Sequence, residues 1–246
     1  ILAPLLDVVI DHLVQIDVEI VVEDFVGDTD GGQEGGDALF DMELADSAQS
    51  VEQRENVVRA EKLDVMMLLT LDFIKSVCDS SKAPIHRDVL FQTLLDIFER
   101  RILTTFRSKY TQFLVFYASH FRTRYIQNFL SQLLKITTAT GSNFPDATLL
   151  AASCYCGSFL ARAGFARLRV TATALKLLAT WLNEYIDAHD SDPDPATHSH
   201  FYVVAQSLMY ALCFKMPSLV NDTKLITLVK LELRIDRIVT CKLNPL

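Results

Sequence analysis

The stretch from Tyr155 to Leu168 reads Tyr-Cys-Gly-Ser-Phe-Leu-Ala-Arg-Ala-Gly-Phe-Ala-Arg-Leu, and the rest of the chain is arranged around it. It connects two segments, residues 146–163 and 168–188, whose apolar side chains recur every three or four positions. This spacing is typical of amphipathic α-helices, and the short connection predicts a helical hairpin. The stretch also carries Arg162 and Arg167, and nothing in it indicates catalysis.

Helical periodicity continues on both sides of this hairpin. Further helices are predicted at 62–78, 86–105, 109–120, 122–137 and 199–215, with an N-terminal helix in 1–16 and shorter segments near 223–231 and 233–242. Proline disrupts a helix interior, and the later prolines all fall between the predicted segments: Pro84, Pro145, Pro193, Pro195 and Pro217. Successive helix pairs begin near residues 62, 109, 146 and 199, which resembles the irregular period of about 40–47 residues in HEAT and armadillo repeats. The predicted fold is all-α, a HEAT/armadillo-like helical-repeat solenoid, with a compact helical bundle as the alternative.

The N-terminal quarter is less regular. Residues 16–22 alternate between apolar and acidic side chains, but a lone strand is not stable, so an extended lead-in is predicted there. Residues 24–60 are acidic and hold five of the eight glycines, a composition that predicts a disordered acidic loop. The predicted organisation is an N-terminal helix and lead-in at 1–23, the disordered loop at 24–60, and a helical-repeat domain at 61–246. Because the chain starts with Ile1 instead of Met, we expect a fragment whose repeat domain continues beyond it.

Charge is distributed unevenly along the sequence, although the net charge of the chain is −8. Residues 17–62 contain fourteen acids and three bases, whereas residues 100–183 contain eleven bases and the single acid Asp146. If adjacent repeats stack, the cationic turns of 100–183 form one basic edge, suited to an anionic protein surface or a phosphate backbone. The alternative is that these are ordinary solvated charges, which the helix dipole favours near helix C-termini.

No pattern in the sequence indicates an enzyme, a metal site or a membrane protein. Phosphate-binding loops, nucleophile elbows and His-Glu-x-x-His motifs are all missing, and no apolar run reaches the roughly 18 residues of a membrane span. The pair His198-x-His200 has no third ligand nearby, and Cys154-x-Cys156 is too tightly spaced for a zinc knuckle. We therefore predict no catalytic residues, no cofactor and no metal, and reduced, mostly buried cysteines.

Residues 157–163, Gly-Ser-Phe-Leu-Ala-Arg-Ala, closely resemble the RNA polymerase I-specific transcription initiation factor family (TIF-IA). Residues 177–186, residues 201–215, and Arg237-Ile-Val with the closing Leu-Asn-Pro-Leu resemble later family motifs in the same order. An acidic tract after a first helix also matches the family's layout. The resemblance therefore spans nearly the whole chain.

The resemblance implies a non-enzymatic, all-helical HEAT-repeat protein of the nucleus and nucleolus. Such factors bind RNA polymerase I through its stalk and dock regions and bridge it to the promoter-bound core-factor complex for ribosomal RNA gene transcription, under control by phosphorylation. The family often has Lys where this chain has Gly164, which removes one expected basic contact.

Charge and motif together predict a partner-binding site. The expected partner contacts are Leu160, Arg162, Arg167 and Arg169, with Arg122 and Arg124 as a flanking patch. Two alternatives remain open: a weak DNA or RNA contact through the basic edge, and a generic helical-repeat adaptor. Whether the acidic loop masks the basic edge also stays open.

Overall fold

The structure is a computed structural model that describes residues 2–20, 39–79, 84–105, 108–139, 144–189 and 193–243. The helices run α1 Leu2–Glu19, α2 Leu39–Asp79, α3 Pro84–Ile97, α4 Gln112–His120, α5 Thr123–Thr137, α6 Asp146–Arg162, α7 Leu168–Ala188, α8 Ser199–Val220, α9 Thr223–Leu231 and α10 Ile235–Val239. A π-helical turn, Phe98–Ile102, directly follows α3. The described ranges contain no strand, so the all-α prediction is confirmed.

The chain forms two compact units. Unit 1 comprises Ile1–Leu90 with Thr105–Leu114, and unit 2 comprises Phe91–Thr104 with Val115–Leu246. In unit 1, α1 lies antiparallel to α2: the guanidinium of Arg59 is 3.5 Å from the carboxylate of Glu19, and Lys62 Nζ is 3.3 Å from His12 Nε2. The apolar face of α1 is buried, as its spacing predicts.

Asp17 ties the end of α1 to the turn that precedes α4. Its Oδ2 accepts hydrogen bonds from the backbone N–H groups of Lys109, Tyr110 and Thr111 at 2.9–3.0 Å, and also from the hydroxyls of Ser108 and Thr111. The carboxylate is completely buried. These donors precede the first turn of α4, where backbone N–H groups have no partner within the helix. Asp17 therefore acts as a cap from another helix.

These contacts correct the predicted lead-in at residues 16–22. Helix α1 continues to Glu19, because Ile16 and Asp17 both fall on its buried face. The alternation of apolar and acidic residues was misleading, since one of the acids, Asp17, is a core residue with its own donors. Residues 21 and 22 lie outside the described residues.

The predicted disorder at 24–60 is wrong for its second half. Helix α2 begins at Leu39, and residues 39–60 form about its first six turns. The glycines of the tract end at Gly36, and the residues that follow are rich in Ala, Glu, Gln and Leu, which favour helices. Averaging the composition over the whole tract concealed this change. Residues 24–38 lie outside the described residues.

Unit 2 is built around an aromatic core. Phe129 on α5 and Phe159 on α6 meet edge to face with ring centroids 5.0 Å apart. Phe98 packs on Phe129 at 5.1 Å, and Phe116 packs on Phe159 at 4.9 Å. Edge-to-face pairs at these distances add stabilisation beyond the burial of their area. The core therefore joins the π-helical turn, α4, α5 and α6.

Helices α6 and α8 lie side by side and run in the same direction. Gly157 of α6 faces Ser207 of α8, and further along both helices Lys215 Nζ donates to the carbonyl of Ala163 at 3.3 Å. Helix α7 connects them in the chain, runs back in the opposite direction and packs against α8. The alternate helices α6 and α8 are thus parallel, as expected of stacked helical pairs.

Pro217 lies inside α8, although the sequence predicted that it falls after the helix. The helix continues to Val220 because Leu219 is fully buried and anchors its last turn, while Pro217 itself faces solvent. Helix α8 is also long and apolar enough to meet the compositional test for a membrane span. Its buried residues, including Phe201, Val204 and Leu208, give it the composition of a core helix.

Candidate functional site

Two turns of unit 2 come together at one end of its helices. The first, between α4 and α5, contains Phe121 and Arg122, and the second, between α6 and α7, spans residues 163–167. His120 and Phe165 connect them, with ring centroids 5.3 Å apart, and Phe165 lies 6.1 Å from the core ring of Phe159. The turns are therefore fixed against each other through packed aromatic rings.

The α6–α7 turn is held by short backbone hydrogen bonds. Gly164 N donates to the carbonyl of Arg162 at 2.8 Å, and Ala166 N donates to the carbonyl of Ala163 at 3.1 Å. Arg167 has an extended backbone, and its carbonyl accepts the first helical hydrogen bonds of α7. Burial lowers the pKa of Lys215, whose ammonium reaches this turn from α8.

We call five side chains at these two turns the edge arginines. They are Arg122, Arg124, Arg162, Arg167 and Arg169. Arg162, in the last turn of α6, donates to Ser158 Oγ at 3.0 Å and holds its guanidinium carbon 5.6 Å from the ring centroid of Tyr210. Arg124 holds its guanidinium carbon 5.3 Å from the centroid of Tyr125. These contacts preorient both guanidinium groups at the surface.

Four of the edge arginines lie where the helix dipole disfavours them. Arg122 and Arg124 are at the N-terminus of α5, and Arg167 and Arg169 are at the N-terminus of α7. A helix N-terminus carries a partial positive charge, which acidic residues stabilise and basic residues oppose. Neither helix has an acid in its first turn. Among the edge arginines, the dipole explanation therefore fits Arg162 alone, and the other four concentrate positive potential at the surface.

The sequence of the whole chain matches one known family. The family described as RNA polymerase I specific transcription initiation factor RRN3 matches residues 1–246. The chain belongs to the RRN3 family. The mouse protein named RNA polymerase I-specific transcription initiation factor RRN3 is 35% identical over 198 residues, which cover 76% of this chain and 29% of the mouse protein. The Schizosaccharomyces pombe relative of the same description is 28% identical over 158 residues, covering 63% of this chain and 26% of that protein.

A solved RRN3 structure has the same fold. The crystal structure of RNA polymerase I transcription initiation factor Rrn3 matches with a TM-score of 0.70 at 22% identity, over 96% of this chain and 45% of that chain. The predicted helical-repeat fold is therefore confirmed. This chain spans less than a third of the length of the mouse and S. pombe relatives.

One residue of the predicted site is not at the surface of this RRN3-family chain. Leu160 is 1% exposed and belongs to the aromatic and aliphatic core of unit 2. A side chain this buried cannot reach a partner, so the prediction of a direct contact at Leu160 is wrong. Leu160 follows Phe159 and lies four residues after Cys156, and both of these are also completely buried. It supports the hairpin that presents Arg162 and Arg167.

Three exposed aromatic residues at the same end of the RRN3-family chain were not predicted from the sequence. Phe165 is 38% exposed in the turn, and on α8 Tyr210 and Phe214 are 39% and 55% exposed, with ring centroids 4.8 Å apart. Tyr210 and Phe214 lie four residues apart, off the face formed by Phe201, Val204 and Leu208. The position of Tyr210 and Phe214 off the buried face of α8 could be predicted from the sequence. Their proximity to Arg162 could not, because it depends on packing between helices.

The other candidate metal ligands of the sequence, the cysteines and the pair His198 and His200, lie apart from one another or contact other side chains. All five cysteines are free thiols, but only Cys78 and Cys156 are buried, so the expectation that most cysteines are buried is wrong. Burial raises the pKa of the Cys156 thiol to about 12. His198 Nδ1 bonds to the hydroxyl of Tyr185 at 2.9 Å, whereas His200 lies against Trp181. Within the described ranges, no three His, Cys, Asp or Glu side chains are grouped to hold a metal ion.

Proposed function

We propose that this chain forms part of an RNA polymerase I transcription initiation factor and acts as a non-catalytic scaffold. In this proposal it binds RNA polymerase I at its stalk and dock subunits and bridges the enzyme to the promoter-bound core-factor complex. The site of action is the nucleus, in the nucleolus, where ribosomal RNA genes are transcribed. The family match over residues 1–246 supports the assignment to initiation by polymerase I.

The edge arginines are the proposed polymerase-facing contact. The observation that carries this step is the position of Arg122, Arg124, Arg167 and Arg169 at two helix N-termini that contain no acid. Such an arrangement costs helix stability, so an anionic partner is a physical reason for it. The exposed rings of Phe165, Tyr210 and Phe214 add apolar area beside the charges, as is common at protein interfaces.

Capture of RNA polymerase I from nuclear extract tests the proposal. We expect the chain to retain the polymerase and the double variant Arg162→Glu with Arg167→Glu to lose most of it. The matched control is Arg54→Glu with Lys75→Glu, which makes the same charge change on exposed positions of α2. A folded Arg162→Glu, Arg167→Glu variant that captures the polymerase as well as the control does would refute the edge arginines as the contact.

A bait extended to the natural chain ends separates the two parts of the proposal. Capture by the extended bait alone would place the contact outside this chain and leave the function standing. Capture by neither bait would remove the polymerase function as well.

A direct nucleic-acid contact is the second candidate. Arg162 lies beside the exposed ring of Tyr210, which in turn packs against Phe214. Proteins that bind single-stranded nucleic acids use cations of this kind to contact phosphates and aromatic rings to stack on bases. Binding to single-stranded DNA should then weaken steeply with salt, with a slope in log–log form of about 0.7 per phosphate contacted. Undetectable DNA binding at low salt would eliminate this candidate.

A further inference from the structure

Helix α8 is apolar on its solvent side as well as on its buried side. Its only Lys, Arg, Asp or Glu is Lys215, and the helix is described along its whole length. Phe214 is 55% exposed and Val220 is 54% exposed, and Tyr210 and Pro217 are exposed as well. A helix that is apolar all round is normally buried on all sides. The solvent side of α8 therefore has the composition of a surface that another element covers.

Helix α6 extends this uncharged surface. It lies beside α8, and its only charged residues are its first and its last, Asp146 and Arg162. The exposed Cys154 and the half-buried Ser158 precede Arg162 at intervals of four residues, so the three lie on one side of α6. We call the solvent side of these two helices the α6–α8 face, which consists of Cys154, Ser158, Arg162, Tyr210, Phe214 and Pro217. Arg162 is its only charged group.

Arg162 places a positive charge directly beside the exposed rings. Its guanidinium carbon is 5.6 Å from the ring centroid of Tyr210, and it donates to Ser158 Oγ at 3.0 Å. Tyr210 in turn packs against Phe214 with ring centroids 4.8 Å apart. Arg162 covers part of Tyr210, but more than half of Phe214 stays accessible to a partner. An apolar patch beside a cation is complementary to an apolar group beside a carboxylate.

The shape of the α6–α8 face favours a helix as its partner. The two helices are parallel, and where Gly157 meets Ser207 neither has a long side chain. A third helix can lie along the valley between two such helices and place side chains on both. The backbone groups of α6 and α8 are bonded within their own helices, so an extended peptide would find no backbone partners there. An amphipathic helix needs none, because it binds through apolar side chains at positions i, i+3, i+4 and i+7.

We propose that the α6–α8 face binds an amphipathic helix of a partner protein, with apolar side chains on Tyr210 and Phe214 and a carboxylate on Arg162. A guanidinium can bind a carboxylate through two parallel N–H···O bonds. The inference rests on the proposed function in taking Arg162, one of the edge arginines, as a partner contact. It adds the class of segment that is recognised, and it does not depend on which protein supplies the helix.

Fluorescence anisotropy of labelled peptides tests the proposal on the whole chain. The probe is the amphipathic peptide acetyl-EEALAALLQALAALLQKK-amide, and the matched peptide acetyl-QQALAALLQALAALLQKK-amide lacks only the two carboxylates. We expect saturable binding of the acidic peptide and about three- to fivefold weaker binding of the matched one. With Arg162→Gln the two peptides should bind equally, because the carboxylates have lost their partner. No binding, equal binding of both peptides to the unchanged chain, or an undiminished difference with Arg162→Gln would each overturn the proposal.

A second pair of variants tests the apolar part of the α6–α8 face. Phe214→Gln should weaken binding of both peptides at least about tenfold, because a large apolar side chain is no longer buried by the partner. The matched control Leu231→Gln changes an exposed leucine of α9, outside the face, and should leave binding unchanged. Both positions are exposed, so both variants should keep the circular dichroism of the unchanged chain. Equal binding by the two variants would overturn the assignment to this face.

Three other occupants of the α6–α8 face would each overturn the proposal. A second copy would show as a dimer in sedimentation that Phe214→Gln dissociates. A nucleic acid would show as displacement of the peptide by oligothymidylate at equal or lower concentration. A covering segment of the same protein would show as loss of peptide binding in a chain extended to its natural ends. Polymerase capture separates the two proposals: a chain that binds the acidic peptide and captures no polymerase keeps this inference and loses the proposed function, and the reverse result does the opposite.

Discussion

At the scale of single residues, two glycines of the same hairpin have different roles. A Cβ at Gly157 would lie 2.9 Å from Ser207 Cβ and 3.0–3.1 Å from its backbone, so α6 and α8 approach closely only because a side chain is missing there. A Cβ at Gly164 would meet nothing within 4 Å. The motif Gly157–Ala163 therefore contains a packing requirement as well as a surface arginine.

We predict that Gly157→Ala destabilises the chain by about 1–3 kcal/mol, because overpacking must push the two helices apart. Gly164→Ala should be neutral or slightly stabilising, since it only restricts the unfolded chain. Chemical denaturation followed by circular dichroism measures both. Equal stability of the two variants would show that the α6–α8 contact relaxes without cost.

Gly164 also bears on the site. Because the position is open, a lysine there adds a cation beside Arg162 and Arg167 without steric conflict. The choice of glycine instead of lysine at this position therefore changes the surface charge and is not imposed by packing.

At the scale of elements, α7 has its charges arranged against its own stability. Arg167 and Arg169 stand at the positive end of the helix dipole, and no acid offsets them. Arg162, at the C-terminus of α6, is favourably placed. Stability and partner binding should therefore respond in opposite directions to substitutions at α7.

We predict that Arg167→Glu and Arg169→Glu each raise the free energy of unfolding by about 0.3–1 kcal/mol at low ionic strength, through the dipole of α7. The same variants should weaken capture of an anionic partner. Arg162→Glu serves as the control, because it should lower stability slightly. If Arg167→Glu lost stability and binding together, the arginine would be part of the structure instead of an exposed contact.

The helices of unit 2 were predictable because their apolar periodicity is uninterrupted. Helices α5, α6 and α7 end within a residue or two of the predicted bounds. The first half of α2, residues 39–60, was missed because the glycines before residue 37 dominated the composition of the tract, whereas its second half was predicted as a helix at 62–78. The edge arginines were predictable from charge alone. The position of Tyr210 beside Arg162 was not, since only packing between α6 and α8 brings these residues together.

At the scale of the whole molecule, the division into two units can be tested by removing a contact that belongs to one unit only. Asp17 and its donors at residues 108–111 all belong to unit 1, whereas α6 and α8 belong to unit 2. A buried carboxylate that accepts five hydrogen bonds supports its unit strongly, and its loss leaves buried N–H groups without partners.

We predict that Asp17→Ala destabilises unit 1 by about 2–4 kcal/mol and speeds amide exchange at Lys109, Tyr110 and Thr111. Exchange in α6 and α8 should change little. The control Asp11→Ala removes an exposed carboxylate of the same helix that is bonded to Gln15. Equal loss of protection in α6 would mean that the two units unfold as one.

The contact at Gly157 also fixes a distance. Helices α6 and α8 are interlocked there, so they cannot slide, and the 17 residues of α6 give a rod of about 26 Å at 1.5 Å per residue. Arg162 stands at one end of this rod and Asp146 at the other. A partner that contacts both ends of α6 must span about this distance, and one that does so gains avidity from two linked contacts. The α6–α8 pair thus holds the two ends of α6 at a fixed distance from each other.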